Sequence, residues 1–378
     1  MSEAAASVRS WLASAMTKEV ARAIERLRHA PDVQQMAVMP DVHLAAEVCV
    51  GLAVATSRLL YPQAVGRDIG CGMLAARFDV EAAVLHNAKL AGRVLAGIGR
   101  AIPARRRNRS AVIGQPNEVA NAELSDPRLD AIRRKEGLLE FATLGSGNHF
   151  IELQSDEDGR LWLMVHSGSR ALGQAIVEHH RARAEPVDQR LWALDAGSEA
   201  GMAYLHDVAR ARAYADASRR AIAEEVARVL RDAVGARLCW ETLITTDHNH
   251  VAFERHGGRE LWVHRKGAMP ARLGESGVLP GSMGTLSFHV EGRGHEPALC
   301  SSAHGAGRSM SRGEARAKVS ERALLRQMGP VWFDVRLARE LCDEAPAAYK
   351  DIREVLAAQH ELVKVTRTLR PELNDKGV

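Results

Sequence analysis

The stretch LWLMVHSGSR, residues 161–170, changes from mainly apolar to polar residues after its histidine. Residues 161–166 are an apolar run rich in strand-forming residue types, and small polar residues follow directly after the histidine. A second run, LWVHRKG at 261–267, has the same form. Both runs are predicted to be strands that deliver polar side chains at their ends. We therefore expect the functional residues at strand ends and in the loops that follow them.

Helical periodicity surrounds these strands. Apolar residues recur at three- and four-residue spacing in segments 81–102, 207–234 and 346–363. Strands and helices are interleaved irregularly, and neither an internal repeat nor an interdomain linker divides the sequence. We therefore predict an α+β fold, a single compact domain over residues 1–378 with β-sheets flanked by helices.

The polar segment 103–128 contains proline and glycine and is predicted to be a flexible loop or lid. Four arginines of this segment could contact phosphates: Arg105, Arg106, Arg107 and Arg109. A solvated basic loop explains the same residues equally well.

Composition sets only broad bounds. The 378 residues include 46% hydrophobic and 26% charged residues, as in an ordinary soluble globular protein. The formal charge of +4 and the pI near 8.9 are compatible with a polyanionic partner but do not select one. Five widely spaced cysteines without a secretory signal predict reduced thiols and a cytoplasmic location. No apolar run is long enough to predict a membrane span.

Five segments place chemically capable side chains beside small residues, which permit close approach of a ligand to the backbone. They are AVGRDIGCGM (64–73), ATLGSGNHFIEL (142–153), MVHSGSR (164–170), TTDHNHVAFE (245–254) and SSAHGAGR (301–308). Their carboxylate, thiol and imidazoles could together hold two manganese, iron or zinc ions: Asp68, Cys71, His149, His166 and His248. Taken singly, each is explained as well by a structural role.

The segment AHGAGR combines a potential nucleophile with room for a phosphate. A histidine nitrogen such as that of His304 can act as a covalent nucleophile, and Arg308 offers a planar phosphate-binding group. A glycine-rich turn is the alternative explanation. Two further segments offer hydroxyls and cations, with turn chemistry and surface charge as the alternatives: PGSMGTLS with Ser282 and Ser287, and HRKGA with Arg265 and Lys266.

In this order, the segments resemble the RtcB family of RNA ligases. The match runs from MPDVHL (39–44) through DIGCGM, GSGNHFIEL, HSGSR, HNH, HRKGA, PGSMGTLS and AHGAGR to DEAPAAYKDI (343–352) and Lys376-Gly377. The resemblance implies a domain with a central metal and nucleotide cleft. It also implies a ligase that uses GTP and two Mn²⁺ ions to join RNA 3′-phosphate or 2′,3′-cyclic phosphate ends to 5′-hydroxyl ends, in RNA repair or tRNA splicing. An archease-like activator is a further partner to consider.

The resemblance also implies a role for individual residues. His304 matches the histidine that is guanylylated, with Asp41 as its partner. The Mn²⁺ ligands are Asp68, Cys71, His149, His166 and His248, with Cys71 as the bridging thiolate. The guanylate-binding positions are Asn148, Glu152, Ser282, Ser287, Ala306, Gly307, Tyr349 and Lys376, of which Glu152 and Lys376 read the guanine edge. Arg170 and Arg308 match arginines near RNA or nucleotide phosphates.

Some positions depart from the family pattern or are expected to be uninvolved. The loop after MPDVHL has Ala45, Ala46 and Glu47 where the family has glycines, and Val378 follows the usual final Lys-Gly. The short chain resembles a compact bacterial branch associated with RNA repair. Structural or incidental roles are expected for His179 and His180 on a helix surface, for His250, His264 and His289, for Cys49, Cys239, Cys300 and Cys342, and for Trp162 and Trp262 in the core.

Two other functions are compatible with parts of this pattern. A binuclear metal-dependent phosphodiesterase acting on RNA would use a similar donor set but would need neither the His304 nucleophile nor a guanine pocket. A non-catalytic RNA-binding protein would keep the basic loops and lose metal ligands, which the intact set argues against.

Overall fold

The computed structural model describes residues 5–377. Its strands are β1 Ser7–Ser10, β2 Val33–His43, β3 Val50–Thr56, β4 Leu59–Leu60, β5 Gly72–Glu81, β6 Phe150–Ser155, β7 Arg160–Ser167, β8 Glu185–Pro186, β9 Trp192–Asp195, β10 Leu238–Asp247, β11 Asn249–His256, β12 Arg259–Lys266, β13 Ala268–Pro270, β14 Ser276–Leu279, β15 Ser287–Gly292, β16 Ser301–Ala303 and β17 Val363–Lys376. Its α-helices are α1 Lys18–Arg28, α2 Ala88–Ala101, α3 Asn117–Ala120, α4 Pro127–Ile132, α5 Leu138–Glu140, α6 Ala171–Arg181, α7 Glu199–Val234, α8 Arg312–Lys318, α9 Glu321–Met328 and α10 Ile352–Ala358.

Two large sheets organise the molecule. The first has seven antiparallel strands in the order β10-β5-β7-β6-β17-β15-β14. The second has five strands in the order β1-β2-β3-β12-β11, of which β1 and β2 are parallel. Two small sheets, β13-β16 and β4-β9-β8, complete the arrangement. The mixture of long-range strand pairing and flanking helices confirms the predicted α+β class.

The main core lies between the seven-stranded sheet and helices α2 and α7. Side chains alternate between the two faces of a strand, so Leu163 and Val165 of β7 face these helices. Met164 belongs to a separate cluster on the opposite face, where the cleft also lies. Helix α7 begins with Ser198 as its N-cap and ends at Gly235, whose φ of 73° closes the helix in the left-handed conformation. Strand β7 is therefore buried on both faces and supports the cleft.

Most of the predicted elements are confirmed, with changes at their boundaries. Strands β7 and β12 coincide with the two apolar runs, and α7 contains segment 207–234. Segment 81–102 is divided into a short 3₁₀ turn and α2, which Asn87 caps through the backbone N–H of Leu90. The helix predicted over 346–363 was too long. Helix α10 has seven residues; a separate 3₁₀ turn, Pro346–Ala348, precedes it, and the chain from Val363 onward pairs with β15.

Segment 103–128 has little regular structure but several anchors. Arg107 donates to the carbonyl oxygens of Phe141 and Ala142, the latter at 2.7 Å, and Arg106 forms an ion pair with Glu136 at 2.8 Å. Val119 is buried. These two guanidinium groups already have partners within the protein. Flexibility of the segment and its contact with phosphates stay predictions.

Three smaller expectations concern membrane spans, thiols and the terminus. Within residues 5–377, no helix is both long and apolar enough to cross a membrane. All five cysteines fall in this range and are free thiols, as predicted. Val378 lies outside the described residues.

Candidate active site

Two triads of metal-binding side chains share Cys71. Its Sγ lies 3.5 Å from Nε2 of His149 and 3.2 Å from Nε2 of His166. Oδ2 of Asp68 is 3.0 Å from His149 Nε2, and Nε2 of His248 is 3.4 Å from His166 Nε2. Within each triad, the donor atoms lie within 4.8 Å of one another. The structure thus brings together all five predicted metal ligands, with the thiol at the centre.

Neighbouring strands of the seven-stranded sheet produce this convergence. His166, near the end of β7, pairs with Met73 of β5 on one side and with Phe150 of β6 on the other. Asp68 and Cys71 lie in the turn just before β5, and His149 directly precedes β6. His248 lies between β10 and β11, where its backbone N–H donates to the carbonyl of Cys71 at 2.9 Å. Adjacent strand ends therefore carry the ligands into one cleft.

Burial determines the protonation of these groups. It holds the pKa of His166 and of His248 well below the usual histidine value, so both rings are neutral. Nδ1 of His166 lies 3.1 Å from the carbonyl oxygen of Asn148, which only accepts, so Nδ1 carries the proton and Nε2 has the free lone pair. Burial and the neighbouring Asp68 carboxylate raise the pKa of the Cys71 thiol well above its usual value. A thiolate here therefore requires a cation beside it.

An unpartnered buried atom provides a test of whether a metal fits. Oδ1 of Asp68 is buried without a hydrogen-bond partner. Such a group costs stability unless another ligand satisfies it. The combination of thiol, imidazole and carboxylate suits a divalent ion of borderline hardness. The residues present therefore fit a two-ion centre.

His304 is oriented by a buried carboxylate beside this centre. Nδ1 of His304 and its backbone N–H lie 2.7 and 3.2 Å from Oδ2 of Asp41. Asp41 is enclosed by two glycines with positive φ: a Cβ on Gly51 would lie 2.9 Å from its Oδ1, and one on Gly307 2.3 Å from its carbonyl oxygen. The rings of His304 and His248 are 4.5 Å apart between centroids. The predicted nucleophile is thus in contact with the metal-binding cluster.

A cavity of about 910 Å³ opens onto these groups. All eight residues predicted to bind the guanylate line it, namely Asn148, Glu152, Ser282, Ser287, Ala306, Gly307, Tyr349 and Lys376. The Glu152 carboxylate accepts from Gln154 and from Asn374, each at 2.6 Å, and burial raises its pKa to about 8. The cavity has the size of a small-ligand site with a buried acid in its wall.

The two predicted phosphate-binding arginines have different surroundings. Arg308 lines the cavity, but its guanidinium pairs with Glu344 at 3.1 Å and donates to the carbonyl of Asp343 at 2.6 Å. Arg170 is not among the cavity-lining residues and donates to Thr143 and to the carbonyl of Ala104. Both guanidinium groups are therefore held by the protein.

Glu344 was missed by the sequence reasoning. It is almost fully buried and accepts from the Tyr349 hydroxyl at 2.6 Å, and it pairs with Lys376 and Arg312 as well as with Arg308. Burial alone would raise the pKa of Glu344, but the cations around it, Lys376 first, lower it. Glu344 lies within the DEAPAAYKDI segment. The two adjacent acidic residues at its start, Asp343 and Glu344, were the sequence feature that could have indicated its role. Glu344 contacts four cavity-lining residues at once, namely Arg308, Arg312, Tyr349 and Lys376.

Arg219 was also missed. Its sequence segment shows only the periodicity of a helix, and nothing in that pattern indicates that this arginine is buried. It is a fully buried residue of α7 that donates to the carbonyls of Gly70 and Ser167, at 2.7 and 3.0 Å. Its charge favours the anionic forms of Cys71 and Asp68. A buried arginine thus supports the turn before β5 and the end of β7, which carry three of the predicted metal ligands.

Two sequence interpretations are corrected. Arg265, considered as a phosphate contact or a surface charge, is fully buried and pairs with both carboxylate oxygens of Glu254, at 2.7 and 2.9 Å. His180, expected on a helix surface, is buried with Nε2 2.7 Å from Asp207. Each polar group is tolerated in the interior because a carboxylate faces it as a hydrogen-bond partner. Trp162, by contrast, is buried as predicted.

These features define a class of protein, in which an α+β fold holds two triads of side chains that could bind metal beside a carboxylate-oriented histidine in one cleft. The RtcB family model, described as tRNA-splicing ligase RtcB, matches residues 23–126 and 117–377. The chain belongs to the RtcB family.

Named relatives share much of the chain. It is 37% identical over 370 residues to the RNA-splicing ligase RtcB of Escherichia coli strain K12, covering 91% of this chain and 90% of the relative. It is 34% identical over 282 residues to the RNA-splicing ligase RtcB of Mycobacterium tuberculosis strain H37Rv, covering 64% of each. The tRNA-splicing ligase RtcB of Nanoarchaeum equitans is 29% identical over 295 residues, with 65% and 61% covered.

Proposed function

We propose that this protein is a GTP- and Mn²⁺-dependent RNA ligase that acts through guanylylated His304. It joins RNA 3′-phosphate or 2′,3′-cyclic phosphate ends to 5′-hydroxyl ends. The proposal is carried by the His304–Asp41 pair, which leaves one ring nitrogen available as a nucleophile beside a centre suited to divalent ions. Family membership and the names of the relatives support RNA ligation.

The two triads are proposed to hold two Mn²⁺ ions, with Cys71 contributing to both. Bound ions would neutralise negative charge on phosphate oxygens as Lewis acids. The neutral His166 and His248 rings are ready to act as ligands, and the buried Arg219 charge favours the anionic forms of Cys71 and Asp68. These residues thus position phosphate groups next to His304.

His304 is proposed to attack the α-phosphorus of GTP through Nε2. A P–N bond forms as the P–O bond to pyrophosphate breaks, and pyrophosphate leaves. Asp41 keeps the proton on Nδ1 and stabilises the positive charge that develops on the ring. The RNA 3′-phosphate then accepts GMP as the P–N bond breaks, and the 5′-hydroxyl oxygen displaces GMP to form the phosphodiester. A cyclic end enters after hydrolysis to a 3′-phosphate.

The cavity residues are proposed to bind the guanylate, with Glu152 and Lys376 at the guanine edge. Their places in the cavity wall and the small residues after His304 support this assignment. Arg308 would act on phosphate while still attached to Glu344. For Arg170, the surroundings favour a more indirect role: its guanidinium donates to Thr143 and Ala104, and its charge adds to the effect of His149 in lowering the pKa of Asp68. Dependence on an archease-like activator stays a prediction.

Covalent labelling tests the central step. Incubation with GTP labelled at the α-phosphate and Mn²⁺ should label the protein, through a bond that is stable to alkali and labile to acid. GTP labelled at the γ-phosphate should leave no label, because pyrophosphate departs. His304→Ala should abolish the adduct, whereas His360→Ala, at an exposed histidine, should retain it.

Ligation assays on defined ends complete the test. A 3′-phosphate with a 5′-hydroxyl should be joined, and a 3′-hydroxyl with a 5′-phosphate should not. Absence of an adduct on the wild type, together with cleavage of RNA phosphodiesters, would favour the phosphodiesterase instead. A label that survives in His304→Ala would remove His304 from the proposal.

Metal binding is tested separately through Cys71. The wild type should bind two Mn²⁺ ions per chain in calorimetric titration, and Cys71→Ala should lose metal and ligation while it keeps its circular dichroism spectrum. Cys342→Ala removes a buried thiol that is not among the cavity-lining residues and should keep both properties. Full activity of Cys71→Ala would overturn the assignment of the shared thiol.

A further inference from the structure

A third cluster of metal-binding side chains is formed by His256, Glu296 and Cys300, none of which lines the catalytic cavity. One donor atom from each lies within 4.8 Å of the others. Nδ1 of His256 is 3.3 Å from Oε2 of Glu296, and Sγ of Cys300 is 4.0 Å from Oε1 of Glu296. These residues come from the end of β11, a 3₁₀ turn and the residue before β16. The proposed ligation chemistry uses none of them.

We propose that His256, Glu296 and Cys300 bind a Zn²⁺ ion, with a water molecule completing a four-coordinate site. One nitrogen, one carboxylate oxygen and one sulfur form a mixed donor set that zinc accepts readily. His256 and Cys300 are buried, whereas the Glu296 side chain is 57% exposed. The ion therefore has a route from solvent to a protected pair of ligands.

Glu254 orients the imidazole for this role. Nε2 of His256 lies 2.9 Å from Oε2 of Glu254, so this nitrogen carries a proton and Nδ1 is directed to Glu296. Glu254 is held in turn by the buried Arg265, which contacts both of its oxygens. A ligating histidine that donates its other ring N–H to a fixed carboxylate is the usual support of a metal site in proteins.

The backbone holds the thiol in place. Leu299 and Cys300 are consecutive non-glycine residues with positive φ, 52° and 42°. Arg265 donates to the Leu299 carbonyl at 3.0 Å and to the Ser301 hydroxyl at 2.8 Å, which fixes the chain on both sides of Cys300. Strained conformations of this kind persist where the surrounding structure determines them strongly, and they concentrate at functional sites.

The proposed zinc site is adjacent in sequence to the nucleophile. Cys300 directly precedes β16, and His304 directly follows that strand. A bound ion would tie β11 and the 3₁₀ turn to the chain segment that carries His304. We therefore assign it a structural role that stabilises the strand behind the catalytic histidine.

An imidazolium between two carboxylates would show the same His256 contacts, but it would not require the thiol. Co²⁺ separates the two cases, because cobalt bound to a thiolate absorbs in the near ultraviolet by charge transfer. In a Cys71→Ala background, which removes the catalytic thiol, full-length protein should develop this absorption with one Co²⁺ per chain. Zn²⁺ should then remove it by displacement.

Paired variants identify the ligands. In the same background, Cys300→Ser should abolish the absorption and Cys342→Ser should retain it. Glu296→Gln, at a side chain that is 57% exposed, should weaken Zn²⁺ binding about tenfold or more, and Glu275→Gln should not. Absorption that is absent from the Cys71→Ala protein, or unchanged by Cys300→Ser, would overturn the site. Should Cys300→Ser fail to fold, unchanged zinc affinity in Glu296→Gln would overturn it independently.

Discussion

Nδ1 of His304 lies 2.7 Å from Oδ2 of Asp41, a carboxylate with no solvent exposure. A carboxylate only accepts hydrogen bonds, so the proton of the neutral ring is held on Nδ1 and the lone pair remains on Nε2. This relationship selects the attacking nitrogen before any nucleotide binds.

Asp41→Asn should therefore slow guanylylation more than it weakens GTP binding. The loss of a hydrogen bond to a charged group is worth about 1.5–3 kcal/mol, or roughly a 10- to 100-fold lower rate. Single-turnover labelling with GTP measures the rate, and calorimetry measures the affinity. Asp232→Asn, at an exposed carboxylate, should match the wild type. An unchanged labelling rate in Asp41→Asn would exclude the orienting role.

Gly168→Ala should damage the metal centre while sparing the fold. The added Cβ would lie 2.3 Å from Oδ1 of Asp68, so the carboxylate must move. We expect Mn²⁺ affinity to fall by about tenfold or more, as for other disturbed ligand arrangements. The matched control is Gly99→Ala in α2, where an added Cβ would meet no atom from outside its own stretch of helix within 4 Å and helix propensity predicts a gain of about 0.5–1 kcal/mol. Equal Mn²⁺ affinities of the two variants would contradict the prediction.

Glu152→Gln should alter the pH dependence of stability. Burial raises the pKa of Glu152 from 4.5 to about 8, so the folded state retains a proton that the unfolded chain releases. The stabilisation by the protonated acid is complete below pH 4.5, declines as pH rises and is lost once pH passes 8. Between these limits, the unfolding free energy of the wild type should fall relative to Glu152→Gln by up to about 1.4 kcal/mol per pH unit.

Urea unfolding at pH 5, 6, 7 and 8 measures this difference. Glu178→Gln, at an exposed position on α6, should show no such trend relative to the wild type. A constant difference between Glu152→Gln and the wild type across this range would show that the acid does not hold its proton.

Glu344→Gln should weaken both the fold and the nucleotide site. The carboxylate is the shared partner of Arg308, Arg312 and Lys376, and two of these pairs are largely buried. Breaking a buried ion pair typically costs about 3–5 kcal/mol, because a buried charge loses its partner. Urea unfolding should show this loss, and GTP should bind more weakly because Lys376 and Tyr349 lose their anchor. Glu340→Gln, at an exposed neighbour, should be neutral; equal midpoints for both variants would count against the role of Glu344.

Particular residues show how far sequence reasoning reached. The apolar run 161–166 predicted β7 and placed His166 near its end, because strand residues have a recognisable local composition. The same reasoning extended the last helix to 363, since an apolar residue there fits either a helix face or a strand. Pairing with β15 decided the matter. A local sequence pattern predicts a helix or strand correctly where no strand distant in sequence pairs with the same residues.

The amino-acid sequence by itself determined the kinds of donor available, their order along the chain and the small residues beside them, including His304 in AHGAGR and the five metal-binding side chains. Only the tertiary structure decided that these five side chains, the first at Asp68 and the last at His248, meet in one cleft. Antiparallel pairing of β5, β7 and β6 brings their distant strand ends together. It also decided that Arg265 is buried and that Glu344 joins three cations. Burial and charge pairing depend on neighbours that are remote in sequence, so local composition cannot specify them.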